Sequence, residues 1–218
     1  FSGLCPHYEI EYPSKHIVEN YLALIAPFVK TVERPIPEVF LSDVDISFAE
    51  NMLRNIKIKK PVILLHPFSE NPNHLWPVDN WAELADKLFE TYMVIFTSPE
   101  NGLNYINHIL SKVNNKQDII VPETINILAA LIQYCDLLIS IDTSTVHIAS
   151  ATQTPSIILY GPTITKFWGP LNRNQIILQK NVVCNGECRR FDSNSIFFSR
   201  EKCNQYKDNC INYITVDE

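Results

Sequence analysis

Between Pro61 and Gly161 the chain repeats one alternation: a short apolar run, a polar turn, then apolar residues at three- and four-residue spacing. The runs "PVILLHP", "YMVIFTS", "DIIVP", "DLLISI" and "PSIILYG" have the length of strands and are bounded by proline, glycine or polar residues. Between them "VDNWAELADKLFETY", the residues from about Glu100 to Asn114, "TINILAALIQYC" and "STVHIASATQ" predict helices, with Asp79 and Thr124 placed as N-caps. Strands that are apolar throughout, instead of at every second residue, are buried on both faces. The pattern therefore predicts an α/β fold, a Rossmann-like parallel sheet with helices on both faces.

Upstream, "HIVENYLALIAPF" and "DISFAENMLRNIK" predict two helices separated by the proline-bearing "VERPIPEVFLS". The first has no sheet of its own to cover and reads as a bridge or the last element of a preceding domain. After Thr163 the periodicity fades into a loop-rich stretch. The expected organisation is a linker and domain remnant at 1–42, a nucleotide-binding domain at 43–180 and a cysteine-containing tail at 181–218. No internal repeat or low-complexity segment interrupts it.

Composition narrows the classes. At 218 residues and 46% hydrophobic content the chain can bury a sizeable core. Eighteen Lys and Arg against 24 Asp and Glu leave a formal charge of −6, which argues against a dedicated nucleic-acid surface. The opening "FSGLCPHYEIEYPSKH" does not read as a signal peptide, and without an initiator methionine Phe1 reads as an internal residue. The longest apolar region, Ile125 to Ile141, is broken by Asn126, Gln133 and Asp136, which argues against a membrane span. The expectation is a soluble protein in the cytoplasm or at a membrane surface. Six cysteines include Cys184, Cys188, Cys203 and Cys210 near the end, in spacings unlike the tight pairs of a zinc ribbon, so structural thiols, reduced or partly bridged, are favoured over metal. Arg189, Arg190, Arg200, Lys202 and Lys207 make the same tail locally basic, as a solvated surface or a contact for acidic head groups or phosphorylated sugar.

Ligands of open parallel sheets bind beyond the carboxyl ends of the strands. There the stretch "SIDTSTVHIASATQTPSIILYGPT" gathers an acid, hydroxyls and a histidine at the start of a helix, whose unpaired first-turn amides and positive dipole end favour an anion such as a diphosphate. Thr143, Ser144 and Thr145 would add hydroxyl donors, and His147 could reach the anion or orient Asp142. Read alone, Asp142 or Ser144 could equally be a helix cap, and His147 a hydrogen-bonded structural histidine. Two further strand ends tilt the balance: "PFSENPNHLWP" offers Ser69, and "PEN" places Glu100 at a helix start, where a carboxylate suits a ribose diol.

The blocks "LLHPFSENPNHLWPVDNWAELADKL" and "DLLISIDTSTVHIASATQTPSIILYGPT" resemble the signature blocks of the bacterial heptosyltransferases, glycosyltransferase family 9, over about residues 60 to 165. The cysteine-bearing tail resembles their C-terminal segment. The resemblance implies a GT-B architecture of two Rossmann-like domains facing across a cleft, of which this chain looks like the C-terminal, donor-binding half. It also implies inversion at the anomeric carbon without metal or cofactor, ADP-heptose as the typical donor, and a general base on the N-terminal domain. The acceptor would be a lipid-linked core oligosaccharide of lipopolysaccharide, with the enzyme cytoplasmic and in possible peripheral contact with the inner membrane. By the same resemblance Ser69 contacts the diphosphate, Glu100 the ribose, and Asp142, Thr143, Ser144, Thr145 and His147 the phosphates and the sugar-proximal edge. Two departures bear on the donor. His74 stands where many members carry a lysine against phosphate, making charge compensation weaker or pH-dependent, and Ser144 replaces a glycine. A GT-B-shaped sugar-nucleotide epimerase and a nucleotide-binding fragment without activity remain the alternative readings.

Overall fold

The computed structural model describes residues 15–29, 36–55, 60–171, 173–180 and 209–218. Six strands form one parallel sheet: β1 (Val62–His66), β2 (Met93–Thr97), β3 (Asp118–Ile120), β4 (Leu137–Ile141), β5 (Ser156–Tyr160) and β6 (Gln175–Gln179). Their spatial order is β3-β2-β1-β4-β5-β6. The chain builds outward from β1 to β3, crosses back, and continues from β4 on the other side. This reversal opens a crevice between the carboxyl ends of β1 and β4. In register, Leu65 pairs with Ile139 and His66 with Ser140.

The apolar strands are explained by burial from both sides. Ile63 and Leu65 point to one face, where they pack with Trp76, Trp81 and Ala85 around α3 (Val78–Phe89) and Ile106 and Ile109 of α4 (Leu103–Leu110). Val62 and Leu64 point to the other face, against Leu131 and Ile132 of α5 (Ile125–Tyr134), Ala149 of α6 (Ser144–Thr152) and Leu53 of α2 (Asp43–Asn55). Alternation of period two thus runs beneath an unbroken apolar surface. Thr124 caps α5 by accepting from the Ile127 amide at 3.2 Å, as its position in the sequence predicts.

Some boundaries differ from the sequence reading. α3 starts at Val78 behind Pro77, whose carbonyl accepts from the Asn80 and Trp81 amides, so Asp79 lies inside the first turn and is not the cap. The stretch after Thr163 is not all loop. It forms the short helix α7 (Thr165–Trp168) and the edge strand β6, whose Ile176 and Ile177 are exposed.

Residues 209–218 return to the body of the sheet. Ile211 and Ile214 are buried in the α3-side core, and the Trp76 indole donates to the Ile214 carbonyl at 2.9 Å. Beneath this contact an apolar hollow of about 540 Å³ is lined by Ile63, Leu84, Ile157 and Val216 among others. Upstream, α1 (Ile17–Ile25) buries only Ile17 and Asn20 along its length, and most of its surface is exposed. The linker residues 30–35, the opening residues 1–14 and the tail with Cys184, Cys188, Cys203, Arg189, Arg190, Arg200, Lys202 and Lys207 lie outside the described residues. Of the remaining cysteines, Cys135 and Cys210 are buried. Among the described residues no helix is long and apolar enough to cross a membrane.

Candidate functional site

Four loops meet above the crevice. After β1 the chain turns through Pro67–Asn71 into a 3-10 helix, Pro72–His74. Two local bonds shape this turn: the Asn71 amide donates to Ser69 Oγ at 3.2 Å, and the Asn73 amide to Asn71 Oδ1 at 3.2 Å. Ser69 thereby serves the loop as an acceptor while its own proton stays free to donate outward. After β2, Pro99 leads into a 3-10 helix, Glu100–Gly102. Gly102 is obligatory there, because a Cβ would fall 2.2 Å from Ser98 Oγ and 2.6 Å from the Phe68 ring. The close fit sets the β2 loop directly against the β1 loop.

The turn after β4 carries Asp142 and Thr143, and α6 begins at Ser144. Thr143 is extended, with φ −148° and ψ −177°, and its side chain caps none of the helix amides. The Val146 amide donates to the Thr143 carbonyl at 3.2 Å, and the Ser144 and Thr145 amides keep their capacity for an anion. Asp142 is held from two sides. Its carboxylate accepts from the Thr163 hydroxyl, and the His74 ring donates from Nδ1 to its carbonyl at 3.1 Å, with the carboxylate 3.6 Å away. Thr163 is supplied by the loop after β5, whose Gly161 and Thr163 carbonyls accept from the Gln179 amide of β6 at 2.9 and 2.8 Å. Gly161 also lies close to the β1 loop, since a Cβ on it would meet the Asn73 carbonyl at 2.8 Å. The loops after β1, β4 and β5 are thus tied together before any ligand arrives.

Between them lies an open groove of about 580 Å³. Ser69, His74, Asp142, Thr143 and Ser144 line it, so five of the residues singled out by sequence come together. Three do not join the lining. Thr145 is fully buried, its hydroxyl bonded to Ser140 Oγ and Thr143 Oγ1 at 2.7 Å each, so it is an internal strut and not the outward donor expected. Glu100 is exposed outside the lining, where its neighbour Asn101 donates to Glu70 Oε1 at 2.9 Å within it. His147, one turn into α6, is exposed outside the lining and makes no hydrogen bond to Asp142 among the described residues. Loss of hydration draws its imidazolium below the ordinary range, Asp142 opposes this, and His16 adds to it. Orientation of Asp142, offered by sequence to His147, falls instead to His74 and Thr163.

Sequence reasoning overlooked Glu70, Asn101, His66 and His16. The first two were legible only as loop polarity, and His66 only as the last residue of an apolar run. His16 is a remote partner: its Nδ1 accepts from the Val18 amide at 3.2 Å to cap α1, and its Nε2 donates to the Gly169 carbonyl at 2.9 Å. That pair of contacts docks α1 beside α7.

Comparison with known proteins bears on the fold and the family. The family model for glycosyltransferase family 9 (heptosyltransferase) matches residues 6–196. Lipopolysaccharide heptosyltransferase 2 of Escherichia coli K12 is 27% identical over 177 residues, which are 75% of this chain and 51% of that protein. The chain therefore spans about half the length of that relative. Among solved structures, a family 9 glycosyl transferase from Veillonella parvula superposes with TM-score 0.73 at 20% identity, covering 79% of this chain and 51% of that one. The ADP-heptose lipopolysaccharide heptosyltransferase II of E. coli gives 0.66 at 24% identity, with 79% and 56% covered. Both likenesses support the Rossmann-like α/β fold, and with a family match over most of its length the chain belongs to glycosyltransferase family 9, the heptosyltransferase family.

Proposed function

We propose that this chain is the donor-binding half of an inverting glycosyltransferase that takes a nucleotide-diphosphate sugar, ADP-heptose by the family's pattern, and extends a lipopolysaccharide core at the cytoplasmic face of the inner membrane. One observation carries the reading: Ser69, Thr143, Ser144 and the first-turn amides of α6 converge on one open groove at the reversal of strand order. A diphosphate lying there would meet neutral donors and the positive end of a helix dipole. His74, with Nδ1 committed to Asp142, has only Nε2 left for a phosphate oxygen and must carry a proton there to donate.

The chemistry follows from where charge grows. An acceptor hydroxyl attacks the anomeric carbon from the face opposite the leaving group, its proton passes to a base, and the C–O bond to the diphosphate breaks with its electron pair. Charge then builds on the phosphate oxygens, where donors already in place stabilise it without reorganising. The tie from His74 and Thr163 through Asp142 keeps the β4 loop in position for this. In this reading the base and the acceptor surface lie on another domain, so this chain alone binds donor and transfers nothing.

Calorimetric titration with ADP, UDP, GDP and ADP-heptose tests the reading. Saturable binding of ADP, weakened at least tenfold by Ser144→Pro, which removes one of the first-turn amides, is the expected result. Failure of all three nucleotide diphosphates to bind would overturn it.

A further inference from the structure

His66 ends β1, pairs in register with Ser140 of β4 and lines the groove at the centre of the sheet. Its side chain is 5% exposed, yet its Nδ1 is sealed from solvent with no hydrogen-bond partner among the described residues. Buried polar atoms without partners are scarce in native proteins and costly to keep. Two more such atoms, Thr97 Oγ1 and Tyr160 Oη, close β2 and β5, so three of the six found among the described residues sit at the carboxyl edge of the sheet. That edge is where the groove opens.

The protonation state of the ring follows from its surroundings. Burial pushes His66 down to about 4, so near neutral pH the imidazole carries one proton. With no acceptor beside Nδ1, that proton belongs on Nε2, because a buried bare lone pair is tolerated better than a buried orphan N–H. The groove lining contains the acids Glu70 and Asp142 but neither lysine nor arginine among the described residues. An anion held there depends on uncharged donors, and a neutral Nε2–H is such a donor.

Resting on the donor-groove reading above, we propose that His66 is a further binding residue, its Nε2–H donating to a phosphate oxygen of the nucleotide diphosphate. The bare Nδ1 stays unpaired with or without ligand, and its role is to fix the ring as an Nε2–H donor toward the groove. This gives a signature that a structural histidine would not show. Replacing His66 by leucine removes a buried unpaired nitrogen, so it raises the apo melting temperature while weakening the diphosphate.

The test uses the 218-residue chain and whichever of ADP, UDP and GDP the wild type prefers, with the matching nucleoside as control. For His66→Leu we expect a roughly tenfold rise in Kd for the nucleotide diphosphate, equivalent to ~1.4 kcal/mol, with nucleoside affinity unchanged. His66→Gln, whose amide reaches the region of Nε2, restores most of the affinity, and His66→Asn, which reaches only that of Nδ1, does not. The Gln and Asn pair decides the matter even if the leucine variant does not fold. Equal loss for nucleotide and nucleoside, or no loss with a wild type that binds, overturns the role of His66 alone. A wild type that binds none of the three diphosphates overturns both this role and the reading of the groove.

Discussion

Thr145→Val separates a strut from a ligand contact. The substitution keeps shape and removes one hydroxyl, which is fully buried and bonded at 2.7 Å to both Ser140 Oγ and Thr143 Oγ1. Each buried hydrogen bond contributes about 1 kcal/mol net, so the loss is bounded near 2 kcal/mol. It does not go higher, because Ser140 keeps the Ile141 carbonyl at 2.8 Å and the half-buried Thr143 hydroxyl can turn to water. For a chain of this size about 2 kcal/mol lowers the melting temperature by roughly 4–8 °C. Thermal unfolding followed by circular dichroism measures that shift, with Thr145→Ser as the control that retains the hydroxyl. ADP affinity at a temperature where both proteins are folded is expected to change by less than about threefold, since the hydroxyl does not face the groove. A valine variant that melts with the wild type yet loses ADP tenfold or more would refute this account and return Thr145 to the ligand.

Three further expectations follow from buried or strained groups. His66, drawn from its ordinary value of about 6.5 to about 4, binds its proton in the unfolded chain before it does in the folded one. Stability is therefore full above pH 6.5 and falls as the pH drops toward 4, by about 2 kcal/mol at pH 5; urea unfolding at pH 7 and 5 measures this, and His66→Leu should flatten the difference. Gln153 sits at the end of α6 with φ 58°, a left-handed conformation that favours glycine, so Gln153→Gly should stabilise by about 0.5–1 kcal/mol in the same assay. The Cys135 thiol is pushed up to about 12, by burial first and by Asp136 second, so iodoacetamide at pH 8 should leave it unmodified in the folded chain and label it in urea, as mass spectrometry of its peptide would show.

The central sheet was legible because burial on both faces leaves strands such as "VILLH" apolar at every position but the last, a signal that needs no knowledge of partners. β6 escaped because it is an edge: "QIILQ" begins and ends with glutamine, and its isoleucines face outward. The gathering of Ser69, Asp142 and Ser144 at one groove was also legible, since strand ends follow from topology. Which hydroxyl faces the groove was not. Thr143, Ser144 and Thr145 are consecutive, and only the packing of Ser140 beneath them decides that Thr145 turns inward. His74 illustrates the same limit: its position in the sequence suggests a countercharge for phosphate, whereas its tie to Asp142 depends on a residue 68 positions away.

The bond from Trp76 to Ile214 bridges 138 positions of chain. During synthesis at about 5–20 residues per second, the indole emerges many seconds before the carbonyl that receives it. Throughout that interval one flank of the nascent sheet waits half-closed, with Trp76 and its neighbours open to other hydrophobic chains. Closure of that flank accordingly waits on the segment around Ile214, and holdase chaperones have their opening in that delay.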